Sequence, residues 1–155
     1  MPTRSAGLLL YRRSGGKLEV LLVHPGGPYW SRKDDGAWSI PKGEPDAGEE
    51  PLEAAVREFL EELGVEPPWG REPVPLGEAR QSGGKIVTVW AIEGDLDVAN
   101  VRSGTFTIEW PPRSGRTAEF PEVDRAAWFD AATARVKLVS GQVAFVDRLE
   151  DAFRA

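Results

Sequence analysis

The apolar positions fall into runs of two kinds. Residues 5–11 ("SAGLLLY") and 17–24 ("KLEVLLVH") are short, rich in aliphatic side chains and separated by the turn-forming "RRSGG", which predicts two strands joined as a hairpin. From Leu52 the period changes. Leu52, Val56, Phe59 and Leu63 recur at i, i+4, i+7 and i+11, the buried stripe of a helix. Glu49 and Glu50 are placed in its first turn, Pro51 suits an early helical position, and Gly64 suits the C-terminal cap. Residues 74–81 and 85–95 predict two strands around "SGG", residues 105–110 ("TFTIEW") another, and residues 125–130 ("RAAWFD") a last short one. Asp130 is expected to cap a short helix over 131–138. Ser140 is expected to cap a final helix, with Val143, Val146, Leu149 and Phe153 as its buried stripe. Between the second strand and the first helix runs a long Gly- and Pro-rich loop carrying Tyr29, Trp30 and Trp38. Loops of that length are commonly functional or disordered, and the aromatics favour an ordered one.

This succession predicts an α/β (α+β) fold, a mixed β-sheet packed between helices, with residues 1–155 as a single domain. Composition narrows the classes. The charged fraction of 28% and hydrophobic fraction of 41% are those of a soluble globular protein. No apolar run is long enough to span a bilayer or to serve as a secretory signal, so the expected location is cytoplasmic. With no cysteine, disulfides and thiolate chemistry are excluded. A net charge of −6 argues against general nucleic-acid binding, but not against a small anionic ligand met by local cations or by metal ions held on carboxylates.

The charge pattern of the first helix raises the chemical question. Glu58, Glu61 and Glu62 share one face at about 100° per residue. Their mutual repulsion, about 0.2–0.5 kcal/mol per pair, suits either a solvated acidic face or a metal site. Their setting is "PKGEPDAGEEPLEAAVREFLEELGV", in which Gly43, Glu49, Arg57, Glu58, Glu61, Glu62, Gly64 and Val65 stand at the spacing of the Nudix box, over residues 43–65. The chain therefore resembles the Nudix hydrolase family. Phe59 fills a slot more often aliphatic, and the strand order around the box fits that family's α/β/α sandwich. The tail "FPEVDRAAWF" and "GQVAFVDRL" is similar to that of small bacterial predicted nucleotide pyrophosphohydrolases.

The resemblance implies water attack on phosphorus in a nucleoside diphosphate linked to another group X, with Mg²⁺, or Mn²⁺ in its place, as cofactor. It implies Glu61 and Glu62 as principal metal ligands, Glu58 as a further ligand or the base, the Gly43 carbonyl completing the coordination, and Arg57 holding the glutamates. Hard cations of this kind take oxygen ligands and keep several waters, which suits such a set. A later acid often joins the site in this family; Glu119 and Glu122 are the candidates and Glu122 is preferred. Lys42, Tyr29, Trp38 and Arg32 are the candidate substrate contacts; Arg113 and Arg116 in "PPRSGR" read first as a solvated charge run and second as contacts for distal phosphates. His24, the only histidine, is expected to serve packing or hydrogen bonding. The segment "WSIPKGEPDAGE" is similar to the box entry of hydrolases of diadenosine polyphosphates and diphosphoinositol phosphates, many of which carry His where this chain has Glu44. Triphosphates, diadenosine polyphosphates and ADP-ribose are the substrate classes considered. The rival expectation is a catalytically silent Nudix-fold binding or regulatory module. Members of the family are often homodimers, which makes a dimer an expectation here.

Overall fold

The first apolar run forms the centre of the sheet. In the computed structural model, which describes residues 3–68 and 71–154, β1 (Arg4–Ser14) turns through Gly15 and Gly16, both at positive φ, into antiparallel β2 (Lys17–Pro25). β3 is a two-residue strand, Lys42–Gly43, and α1 spans Pro51–Leu63. β4 (Val74–Arg80) and β5 (Ile86–Glu93) follow, and β5 runs parallel to β1. β6 (Thr105–Glu109) and β7 (Thr117–Pro121) form a separate two-stranded sheet. β8 (Val123–Asp130) returns antiparallel to β2, giving the order β4-β5-β1-β2-β8. The chain closes with α2 (Ala131–Lys137) and α3 (Val143–Arg154).

Alternation along the strands sorts side chains into two cores. Ala6, Leu8 and Leu10 of β1 and Leu21 and Val23 of β2 face α1, where Ala54, Ala55, Phe59 and Leu63 meet them. Leu9, Tyr11, Val20 and Leu22 face the other way, toward Ala134, Leu138, Phe145, Val146 and Leu149 of the C-terminal helices. The expected mixed sheet between helices is the observed one. No helix among the described residues is long and apolar enough to cross a membrane.

A splay in this sheet positions the site. β1 and β2 pair from Tyr11↔Val20 to Ser14↔Lys17 and then diverge. Into the gap comes the end of the long loop. Ser39 exchanges both backbone bonds with Val23, Leu8 N–H donates to the Pro41 carbonyl at 3.1 Å, and Lys42 and Gly43 pair with Gly7 and Ala6. Buried Gln142, just before α3, secures the wedge: its Oε1 accepts from Ile40 N at 2.8 Å and its Nε2 donates to Ser39 and Gln81.

Some expected boundaries differ. α1 begins at Pro51, so Glu49 and Glu50 precede the helix instead of lying in its first turn. Ser140 supplies no side-chain cap; a 3₁₀ turn over Ser140–Gln142 leads into α3. Phe145 fills the α3 core, whereas Phe153 is largely exposed, with its ring against Tyr11 and Arg13. β7 was expected as loop, because only Ala118 and Phe120 mark its alternation. Asp130 caps α2 as expected, accepting from Thr133 N at 2.8 Å, and Gly64 closes α1 at φ 72°.

Candidate active site

Phe59 and Leu63, fully buried against the sheet, fix the rotation of α1. That rotation brings Arg57, Glu58 and Glu62 to the edge facing β3, while Glu61 stays half-exposed. Arg57 is the hub. Its Nε and Nη2 engage the Glu49 carboxylate at 2.9 and 3.0 Å, its Nη1 reaches Glu58 and Glu61 at 3.1 and 3.2 Å, and its Nη2 also reaches the Glu44 carbonyl at 3.1 Å. One planar guanidinium thus ties the loop before α1 to two helix acids, a geometry lysine cannot reproduce. Glu49 also accepts from Asp46 N at 2.9 Å. The hydrogen bonds that Arg57 donates hold the Glu49 carboxyl below the ordinary carboxylate range, and the same bonds first of all raise Arg57.

Glu58 lies directly against Gly43. A Cβ there would stand 2.1 Å from the Glu58 carboxyl carbon, so the glycine is required by close approach. Burial and then the neighbouring Glu61 push the Glu58 carboxyl up, against the pull of Arg57. Glu62 is the extreme case. Burial raises it to about 8, with Glu58 and Glu122 adding to the rise, and the Lys42 backbone N–H opposes it from 3.4 Å. Lys42 itself is pushed down by burial, with Glu62 opposing.

Lys42 and Glu62 face a cleft in two connected parts. One, of about 240 Å³, is lined by Ser39, Lys42, Glu62, Glu122 and the end of β2. The other, of about 270 Å³, is lined by Gly26, Gly27, Tyr29, Trp30, Phe106 and Ile108, and shares Pro25 and Glu122 with the first. Larger hollows lie on the outer face of α1 and between the β1–β2 turn and α3, away from the buried carboxylates.

The structure thus sets Lys42, Glu62 and Glu122 on the wall of one cleft and Tyr29 in its aromatic part. Glu58 stands beside it between Gly43 and Arg57, and Glu61 stays half-exposed on the same guanidinium. Arg32 is exposed in the same loop as Tyr29. Trp38 is a correction. It is buried on the opposite side of the sheet from α1, its Nε1 donates to Asp34 at 2.8 Å, and its ring meets His24 and Phe129 edge-on, so it cannot stack on a ligand in this cleft. His24 is likewise structural. It is buried, with Nδ1 2.8 Å from Asp124 and Nε2 2.6 Å from the Lys33 carbonyl. Glu119, the other acid considered, is exposed on β7. Phe106 and Ile108 were not foreseen as site residues, although the alternation in "TFTIEW" already set them on one face of a strand.

Glu58, Glu61 and Glu62 offer oxygen donors only, the kind a hard divalent cation takes, so the residues present fit such a cation. Among the described residues no three acids already stand together as a finished metal site. Arg57 draws Glu58 and Glu61 to one side, and the Lys42 amide holds Glu62 on the other.

The family model described as the NUDIX domain matches residues 1–149. The chain is 38% identical over 65 residues to the bis(5′-nucleosyl)-tetraphosphatase [asymmetrical] of Caenorhabditis elegans, covering 42% of this chain and 43% of the relative. It is 34% identical over 112 residues to an RNA pyrophosphohydrolase of Brucella anthropi, covering 61% and 58%. The chain thus spans about half the length of the curated relatives it matches. The NUDIX domain of Shewanella oneidensis NrtR, solved with ADP-ribose, superposes with a TM-score of 0.67 at 15% identity over 99% of this chain and 89% of that one, which shows a shared fold.

Proposed function

The chain belongs to the Nudix family, and on that premise we propose that it is a divalent-cation-dependent pyrophosphohydrolase cleaving the diphosphate link of a nucleoside diphosphate joined to a group X. The observation carrying this reading is the meeting of Glu62 and Glu122, with Glu58 close enough to Glu62 to raise it, at a cleft that continues into an aromatic chamber with room for a nucleobase. Glu58, Glu61 and Glu62, with the Gly43 carbonyl, would hold the cation. Bound there, Mg²⁺ or Mn²⁺ would polarise the phosphoryl oxygens, lower the pKa of water and neutralise developing charge.

The chain's own residues do the rest. Arg57 keeps Glu58 and Glu61 aligned, and Lys42 offers a point charge to a phosphate oxygen. Tyr29, Trp30 and Phe106 receive the base, with Arg32 on the same loop beside the substrate. A water oxygen forms a bond to phosphorus as the bridging P–O bond breaks, and the departing phosphate keeps the electron pair. Glu122 takes the proton from that water; unlike Glu58, it has no guanidinium bonded to its carboxylate. The curated relatives carry names that point to two kinds of substrate, a dinucleoside tetraphosphate and an RNA.

The test is product identification by mass spectrometry with Mg²⁺ and a panel of triphosphates, dinucleoside polyphosphates and ADP-ribose. Cleavage that disappears in Glu62→Gln supports the reading. Metal and nucleotide binding without turnover would replace it with a binding module. Glu122→Gln is expected to lower kcat by about 10²–10⁴-fold with little change in KM.

A further inference from the structure

The β6–β7 hairpin begins at the carboxylates and leads away from them. Its base is anchored there: Gly104 N–H donates to the Glu61 carbonyl at 3.1 Å, and the Gly104 carbonyl accepts from Glu122 N at 2.9 Å. The register pairs Phe106 with Phe120 and Ile108 with Ala118. Trp110 N–H extends it by donating to the Arg116 carbonyl at 2.9 Å. Directly opposed residues share a face. Phe106, Ile108, Trp110 and Arg116 therefore lie on one side, while Thr107, Glu109 and Glu119 lie on the other. At about 3.3 Å per residue, Arg116 stands roughly 20 Å along the hairpin from its anchored base.

The tip is held in one shape. Arg113 sits at φ 61°, a conformation few non-glycine residues adopt. The Glu109 carboxylate keeps it there by accepting from Arg113 N at 3.2 Å and from Gly115 N at 3.1 Å, and Ser114 Oγ accepts from Arg116 N. Arg4, Arg12, Arg57, Arg135 and Lys137 are all ion-paired, yet Arg113 and Arg116 form no ion pair with any described residue. Trp110 links this tip to the aromatic chamber through an edge contact with Tyr29, ring centroids 5.4 Å apart.

Outward from the carboxylates, the face thus presents a base-sized aromatic chamber, a second aromatic pair and then two free cations. A mononucleotide ends in the chamber. ADP-ribose carries its phosphates between a nucleoside and a ribose, dinucleoside polyphosphates carry theirs between two nucleosides, and neither brings an anion past the first base. A nucleotide strand does, because each base is followed by another phosphate. Aromatic platforms alternating with cations are how single strands are held. We propose that this face is a channel for the 5′ end of a single-stranded oligoribonucleotide. The terminal phosphates lie at the carboxylates, the first base in the chamber, and the following backbone phosphates at Arg116 and Arg113. The inference rests on the hydrolase reading above for the placement of the terminal phosphates. Two or three cations suffice for such a short contact, in keeping with the net charge of −6.

The experiment uses the full chain with Mg²⁺ and 5′-triphosphorylated oligoribonucleotides of one, two and four nucleotides, beside a dinucleoside tetraphosphate. Phosphate or diphosphate release is measured together with binding by fluorescence anisotropy. From one to four nucleotides, kcat/KM is expected to rise about tenfold or more, since each stacked base and each phosphate contact adds affinity. The Arg113→Asn/Arg116→Gln double variant should lose that gain; asparagine tolerates the left-handed position at 113. Arg113→Lys/Arg116→Lys should keep most of it, which separates lost charge from a disturbed tip. Rates independent of length would overturn the proposal, as would a length gain that survives in the double variant. So would a dinucleoside tetraphosphate that loses as much as the oligonucleotide does. If nothing is hydrolysed, the hydrolase reading fails, and the length dependence of anisotropy still decides the channel.

Discussion

At the scale of single residues, charges and contacts in the cleft make two outcomes calculable. Gly43→Ala would drive a Cβ into the Glu58 carboxyl, a flexible side-chain end that can move aside. The variant is therefore expected to fold, with its melting temperature nearly unchanged, and to lose about 10²-fold in kcat because Glu58 is displaced. Calorimetry beside a turnover assay checks it; a melted protein would mean that the contact is structural. Glu62 makes the second prediction. Its carboxyl is raised to about 8 in the fold, so the folded chain favours the protonated form. Stability contributed by Glu62 is present below the ordinary glutamate range and is lost as the pH rises through about 8. Metal-free Glu62→Gln should consequently be more stable than the parent at pH 8.5, by on the order of 1 kcal/mol or more, and nearly equal to it at pH 4. Urea melts at the two pH values measure this, and an equal gap at both would refute it.

Among the elements, α1 carries most of the consequence. Its apolar stripe fixes how far the glutamates reach, so damage to the stripe is also damage to the site. Phe59→Ala is expected to cost about 3–5 kcal/mol, and Phe59→Leu, which restores the family's aliphatic residue, much less. Denaturant midpoints would rank the two. Arg57→Lys removes the forked contact with Glu49 and the bonds to Glu58 and Glu61 while keeping the charge. A fall in metal affinity larger than the fall in stability is expected, read by titration calorimetry with Mn²⁺. The box was legible as an element because its charged positions and its buried stripe are both local in sequence. The β3 wedge was not, since a two-residue strand has no period to detect, and its partners lie on β1 and β2.

For the whole molecule, the cleft is where the sheet splays and three separate segments meet: the long loop before α1, α1 itself and the β6–β7 hairpin. A cation binding only the folded arrangement should stabilise it in proportion to the logarithm of its concentration. Saturating Mg²⁺ is expected to raise the melting temperature of the parent by several degrees and that of Glu62→Gln by little, about 2–4 °C accompanying each kcal/mol in a chain of this size. Chelation should abolish both the shift and turnover, and a shift equal in parent and variant would place the cation elsewhere.

The sequence alone determined the strand and helix succession apart from β3 and β7, the mixed sheet between helices, and the spacing that sets Glu58, Glu61 and Glu62 near a Lys-Gly turn. Each of these rests on periodicity or on neighbours within one helix and its adjoining loop. Tertiary structure alone decided which acids share the cleft, because Glu122 arrives there from 60 residues beyond Glu62 through the pairing of β8 with β2. It also decided between two tryptophans and a tyrosine that look alike in one loop. Trp38 is drawn under the far face of the sheet by its contacts with Phe129 and Asp34, whereas Tyr29 and Trp30 stay in the chamber. Aromatic rings carry no sequence mark for the side of a sheet on which they will lie. That choice belongs to the packing of strands and helices distant in the chain.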